Sequence, residues 1–137
     1  MAELQRFIDA QAPVWDDVLA ELRAGRKRTH WMWFVFPQID GLGSSSTARR
    51  FAVADLAEAR AYLAHPVLGA RLREACDVLL GLTGMTATAV LGYPDDLKLR
   101  SSMTLFAAAD PEEPRFPAVL AQWYEGPDPR TLELLAG

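Results

Sequence analysis

Apolar residues recur every three or four positions along most of this chain, which is the spacing of one face of an α-helix. The clearest stripe is formed by Leu68, Leu72, Cys76 and Leu79. Apolar residues have similar spacing in other segments that turn and capping residues bound. These segments predict further helices over 4–8, 14–22, 55–63, 86–91, 95–106, 116–123 and 128–135. The pattern therefore predicts an all-α fold, with about six to eight short helices in a single compact domain that spans residues 1–137.

Local signals mark where these helices begin and end. Asp55, with Glu58 three residues later, is a variant of the capping box. Gly25 and Gly92 stand where helices are expected to end. His65, which precedes a proline, is expected to cap the helix that follows it.

One stretch, from Trp31 to Phe36, is apolar throughout, so its periodicity favours neither a strand nor a helix. Because strand signals elsewhere are too few to build a sheet, we expect residues 30–38 to form an extended or irregular segment that threads the core. We call these residues the aromatic segment. Together with the helical stripes it predicts a core that includes Trp15, Trp33, Phe36, Leu72, Leu79, Met103, Phe106 and Trp123.

Composition and charge limit the partners, the cofactors and the cellular location that we expect for this protein. The net charge of −4 and the pI of about 5.1 argue against DNA as a partner, because nonspecific DNA binding needs a basic surface. A single cysteine, Cys76, excludes an intrachain disulfide, and no Cys/His pattern indicates a metal or another cofactor. Neither a secretory leader nor an apolar run of membrane-spanning length is visible, so we expect a cytoplasmic protein without a membrane partner.

A glycine- and serine-rich loop follows the aromatic segment and is the first candidate for chemistry. Its backbone N–H groups can approach an anion closely, and an arginine after it offers a charged fork for phosphate or carboxylate. Ser46 or Thr47 can cap a short helix at its end. The candidate ligand-binding residues here are Gly43, Ser44, Ser45, Ser46 and Arg49. A plain flexible turn is the alternative.

The second candidate is the helix over 95–106, where Lys98, Ser101 and Ser102 share one face. Hydroxyl residues are unfavourable inside a helix, so something is expected to compensate them. Either they bond back to the preceding turn, or they face a pocket in which Lys98 meets a phosphate. The run Arg26-Lys27-Arg28 also has two interpretations: it is either a solvated turn or a rim that faces an anion.

The aromatic segment supplies the remaining candidates. Trp31 and Trp33 offer faces on which a ligand can stack, and Gln38 ends the segment beside the glycine loop. His30 and Asp96 are the candidate proton carriers, since histidine titrates near neutral pH. The alternative for His30 is a histidine at the core or rim with a satisfied hydrogen bond.

Four strings of this sequence resemble a known family. They are GRKRTHWMWFVFPQ (25–38), GLGSS (41–45), AYLAHPVLGARL (61–72) and DDLKLRSSMTLF (95–106). They look like the "domain of unknown function 1810" family, some members of which carry the misleading label calpastatin. The resemblance covers almost the whole chain and implies a compact, mainly α-helical, single-domain cytoplasmic protein without a settled activity.

A looser analogy, in the order of the His-Pro helix, the small-residue turn and the Met-containing helix, is to the YbiA-like or NADAR domains proposed to act on ADP-ribose and related nucleotides. This chain lacks the Glu-His pairing associated with that group. We therefore expect a pocket for a phosphorylated small molecule, a nucleotide or an ADP-ribose-like group, with hydrolysis left open. The competing hypothesis is a non-enzymatic protein-interaction or chaperone-like module that uses an exposed aromatic segment and needs no catalytic group.

Overall fold

The computed structural model describes residues 4–136. These residues form ten α-helices and no β-sheet: α1 Gln5–Gln11, α2 Trp15–Arg23, α3 Met32–Val35, α4 Ser46–Arg50, α5 Leu56–Ala64, α6 Leu68–Gly81, α7 Ala87–Leu91, α8 Asp95–Ala109, α9 Arg115–Trp123 and α10 Pro129–Ala136. The all-α prediction is confirmed. The number of helices exceeds the expected six to eight chiefly because α3 and α4 are each little more than one turn long.

Helix α8 is the centre of the fold and packs against α3, α5, α7, α9 and α10. Its Leu99, Met103 and Phe106 are fully buried. The Phe106 ring lies 5.2 Å from the Tyr62 ring on α5 and 5.9 Å from the Phe116 ring on α9, measured between centroids. This row of aromatic contacts joins α5 and α9 to the central helix.

The stripe predicted on α6 faces the core, and its four residues are all buried. Burial also raises the pKa of the Cys76 thiol, which keeps it protonated as a small apolar side chain. His65 caps α6 as expected, because its Nδ1 accepts hydrogen bonds from the backbone N–H groups of Val67, at 3.1 Å, and Leu68, at 3.3 Å.

The predicted cap at Asp55 is present, since its carboxylate accepts the backbone N–H of Glu58 at 2.9 Å. The cap of α4 differs by one residue from the expectation of Ser46 or Thr47. Ser45 is the residue in extended conformation, and its hydroxyl accepts the N–H of Ala48 at 3.1 Å.

The middle of the aromatic segment is helical rather than extended. In α3 the N–H of Val35 bonds to the carbonyl of Trp31, and the N–H of Phe36 bonds to that of Met32, both at 3.1 Å. An unbroken apolar run of this length carries no period, so the sequence could not distinguish the two conformations. A single parallel bridge between Ile39 and Val53 follows the segment.

Three of the eight predicted core residues are only half-buried, namely Trp15, Trp33 and Trp123, and they pack at the edge of the core. Trp31 is instead the fully buried tryptophan, at 1% exposure. A buried indole N–H usually has a hydrogen-bond partner, but that of Trp123 has none among the described residues. Trp31 finds one in a buried carboxylate, whereas the N–H of Trp15 reaches Glu74 in an exposed contact of 3.2 Å.

Candidate functional site

Both lysines of the chain bind the same carboxylate. The sequence has 14 basic residues, of which Lys27 and Lys98 are the only lysines and the other twelve are arginines. Lys27 Nζ lies 2.9 Å from Asp95 Oδ2, and Lys98 Nζ lies 3.0 Å from Asp95 Oδ1. We call these three side chains the lysine cluster. Lys27 is 8% exposed, and Asp95 and Lys98 are each 18% exposed. The cluster therefore holds two positive charges and one negative charge in a mostly buried position.

The two ammonium groups determine the charge state of Asp95. Burial by itself would raise the pKa of this carboxyl, but its hydrogen bonds with Lys27 and Lys98 and their charges outweigh burial and hold the pKa below its usual value. Asp95 is thus ionised at neutral pH.

Each lysine also lies over an indole ring. Lys27 Nζ is 5.1 Å from the centroid of a Trp31 ring, and Lys98 Nζ is 4.4 Å from that of Trp33. Both distances are within the range of a cation–π contact. The lysine cluster therefore joins the aromatic segment to the first turn of α8.

Glu21, on α2, holds in place the loop over residues 27–31, which leads from the lysine cluster to the aromatic segment. Its carboxylate accepts hydrogen bonds from the backbone N–H groups of Arg28 (2.6 Å) and Thr29 (2.9 Å), the Thr29 hydroxyl (2.6 Å) and the Trp31 indole (3.0 Å). Burial would raise the pKa of Glu21, but these four donors lower it to about 2. Lys27 lies at the start of this loop and donates to the Thr29 carbonyl at 2.6 Å.

The sequence patterns do not single out Glu21, Lys27 by itself or Asp95. A signal for Glu21 was present, because it lies three residues after Val18 and one before Leu22 on the apolar face of α2. Lys27 belonged to a run that could be a solvated turn, and Asp95 is one of two acids in the first turn of a helix, where acids are common.

Trp33, Gln38 and Gly43 meet around a small pit next to the lysine cluster. Ile39, Gly41, Ala48, Phe51 and Ala52 complete its wall. The pit has a volume of about 10 Å³, enough for about one water molecule. A Cβ added to Gly43 would lie 2.6 Å from the Cβ of Ala48, so the loop can approach α4 this closely only with glycine.

The serines and the arginine of the glycine loop lie outside this pit. Ser44, Ser45 and Ser46 are exposed, and the Ser45 hydroxyl is engaged in capping α4. Arg49 is exposed on α4. The structure therefore brings Gly43 into the wall of the pit and leaves these four residues on the adjoining surface.

The polar residues in the middle of α8 mostly hold the segment before α10. Thr104 donates to the Arg100 carbonyl and accepts the N–H of Asp128, both at 2.8 Å. The Ser101 hydroxyl lies 3.1 Å from the Leu97 carbonyl and 3.3 Å from Asp128. Back-bonding, one of the two alternatives, is what the structure shows for Ser101 and Thr104.

Ser102 is different, because its hydroxyl is fully buried and has no hydrogen-bond partner in the part of the chain that the structure describes. It lies one helical turn after Lys98 on the same face of α8.

The two candidate proton carriers occupy unlike positions. His30 is exposed, immediately before the buried Trp31. Asp96 is buried, and its carboxylate accepts the Thr88 hydroxyl at 2.6 Å and the N–H of Leu97 at 3.0 Å, which ties α7 to α8. Asp96 thus has a structural role at the start of the central helix.

The aromatic segment does not form an exposed patch. Trp31, Met32, Val35 and Phe36 are buried, and Trp33 is half-buried. The protein-interaction hypothesis relied on an exposed aromatic segment, and the structure shows that this segment is mostly buried. With 1% exposure Trp31 also has no face on which a ligand could stack.

Two general features complete the description of residues 4–136. Nowhere in this range do three His, Cys, Asp or Glu side chains gather in a way that could hold a metal ion. The helices of the same range are all too short or too polar to cross a membrane.

Comparison with known proteins identifies a family and a close structural relative. A family model described as "protein of unknown function (DUF1810)" matches residues 1–135. The chain is also similar to the crystal structure of the conserved hypothetical protein Rv1873 from Mycobacterium tuberculosis. The two are 53% identical, with a TM-score of 0.97 over 99% of this chain and 98% of that chain. A comparison with curated proteins finds no match. The resemblance indicated by the four sequence strings is thereby confirmed.

Proposed function

The chain belongs to the DUF1810 family of proteins of unknown function, and we propose that it binds a phosphorylated small molecule, of the nucleotide or ADP-ribose class, where the lysine cluster meets Trp33. Lys98 would bind the phosphate, and Trp33 with the glycine loop would hold the remainder of the molecule.

The unbalanced charge of the lysine cluster carries this proposal. Two ammonium groups share one carboxylate at 2.9 and 3.0 Å, and all three side chains are largely withdrawn from water. A charge without a counterion is costly in such a position, and an anion next to Lys98 would neutralise it. A lysine ammonium is a compact charge with three donors, which suits a phosphate oxygen.

The surroundings of Lys98 favour a ligand with both an anionic and a flat part. Trp33 is half-buried, so part of its indole is open to a base or a sugar. The pit beside it holds about one water molecule, so the ligand would lie across the surface of Trp33 rather than inside the pit. Gly43, Ser44 and Ser46 would then supply backbone and hydroxyl donors, and Arg49 a second charge.

A hydrolytic step would fall to His30 rather than to Asp96. Asp96 is buried and already accepts hydrogen bonds from Thr88 and Leu97, whereas His30 is exposed. Proton transfer at neutral pH is also the natural role of an imidazole.

A thermal-shift screen followed by calorimetric titration tests the proposal. The phosphorylated probes are ADP-ribose, AMP and ribose 5-phosphate, and adenosine and ribose are their unphosphorylated counterparts. A phosphorylated ligand at about 100 times its dissociation constant should stabilise the protein by roughly 2.7 kcal/mol, a rise of about 8 °C in Tm. No rise with any phosphorylated probe, or an equal rise with adenosine and AMP, would contradict the proposal.

Variants of Lys98 locate the binding. Lys98→Gln should weaken the phosphorylated ligand about tenfold or more, because a charged hydrogen bond is lost, and Lys98→Arg should retain part of the affinity. Arg130→Gln is the matched control, since Arg130 is exposed on α10 and pairs with the exposed Glu133. An unchanged affinity in Lys98→Gln would move the site elsewhere.

A further inference from the structure

We propose a second binding site, for a small organic cation with an apolar body, in the groove between α5 and α10. The groove is lined by Ile39, Asp40, Ala54, Asp55, Leu56, Ala57, Leu134 and Leu135. None of these residues belongs to the lysine cluster or to the glycine loop, and Ile39 is the one lining residue that the groove shares with the pit beside Trp33.

The groove is large enough for a small ligand and mostly apolar. Its volume of about 480 Å³ lies within the range of small-molecule sites. Leu134 and Leu135 enter it from α10, and Leu56 from the first residue of α5. A hydrocarbon body placed between these side chains would be removed from water, which is the main source of favourable free energy for such a ligand.

The polar side chains of the groove select the charge of its occupant. Of the eight residues that line it, Asp40 and Asp55 are acidic and none is basic. Asp40 directly follows Ile39, and Asp55 lies two residues after Val53, so both acids come just after the parallel bridge that joins these two segments. The N–H of Asp40 bonds to the Val53 carbonyl at 2.8 Å, which holds this pairing in register.

Asp55 can serve both the fold and a ligand. As the cap of α5, it uses Oδ1 to accept the N–H of Glu58, and that bond requires only one of its two carboxylate oxygens. Two carboxylates in the lining of an apolar groove complement an ammonium or guanidinium group attached to a hydrocarbon chain or ring. The inferred ligand class is therefore an alkyl or aryl amine in its protonated form.

Titration of the isotope-labelled protein, followed by two-dimensional NMR, tests this inference. The probes are hexylammonium, 1-hexanol and hexanoate, which share one hydrocarbon chain and differ in charge. Hexylammonium should shift the resonances of Ile39, Leu56 and Leu134 with an affinity about fivefold higher than hexanol, and hexanoate should bind more weakly than hexanol. Equal binding of hexylammonium and hexanol, or shifts confined to other parts of the protein, would overturn it.

The double variant Asp40→Asn, Asp55→Asn isolates the contribution of the carboxylates. Asparagine is as good a helix cap as aspartate, so the cap of α5 is retained, and an unchanged spectrum away from the groove verifies the fold. Hexylammonium should bind this variant no better than hexanol does. Asp17→Asn, an exposed position on α2 outside the groove, is the matched control and should leave both affinities unchanged. Full affinity for hexylammonium in the double variant would refute the role of the two acids.

Discussion

Replacing Glu21 with glutamine should destabilise the protein by about 3 kcal/mol at neutral pH, because it removes the charge that four donors surround. The pKa of Glu21 is lowered from 4.5 to about 2 in the folded protein. Each pKa unit corresponds to about 1.4 kcal/mol, so the ionised form contributes roughly 3 kcal/mol to the free energy of unfolding. Glu21 as a residue is 8% exposed.

The loss should depend on pH in a defined direction. A carboxyl whose pKa is lowered by folding stabilises the protein fully above its unfolded value of 4.5, and this contribution falls as the pH approaches 2. The difference between wild type and Glu21→Gln should therefore shrink from about 3 kcal/mol at pH 7 to about 1 kcal/mol at pH 3.

Urea denaturation followed by tryptophan fluorescence, repeated at several pH values, measures both quantities. Glu125→Gln is the control, because Glu125 is exposed and its replacement should change the free energy of unfolding little at any pH. A loss in Glu21→Gln that stays constant between pH 7 and pH 3 would show that the shape of the side chain matters and its charge does not. Such a result would refute the reasoning.

Two further substitutions test the packing around the site. Gly43→Ala should cost about 1–3 kcal/mol, since the new methyl group would lie 2.6 Å from the Ala48 Cβ, and adding Ala48→Gly should recover part of that loss in a double-mutant cycle measured by urea denaturation. Additive losses would contradict this contact. Trp31→Ala should cost about 3–5 kcal/mol, and Trp33→Ala clearly less because Trp33 is half-buried. Equal melting curves for the two variants would argue against the burial described.

The helices could be predicted from the sequence because their signals are local. The stripe from Leu68 to Leu79 and the caps at Asp55 and His65 each depend on residues within a few positions of one another, and the structure contains all three. The helical turn of α3 could not be predicted, because tertiary packing rather than periodicity determines the conformation of a short apolar run.

The candidate site was predictable in part for a related reason. Trp33, Gln38 and Gly43 are candidates that lie close in sequence, and the structure places all three around the pit. The pairing of Lys27 with Asp95 joins residues 68 positions apart, and each has an ordinary local explanation on the surface of a helix or turn. Only the packing of α8 against α3 and the loop before it brings these two charges together.

The sharing of one carboxylate by both lysines also affects how readily reagents that attack amines reach the protein. The chain has no other side-chain amine, and Lys27 and Lys98 are largely buried. Acylating reagents and lysine-specific proteases therefore have two side-chain targets, both held in ion pairs with Asp95. The rate of cleavage after Lys27 or Lys98 would measure how often this region opens. That opening can then be compared with the global unfolding of the protein. Because every other basic position is an arginine, the folded protein offers such reagents no fully exposed lysine.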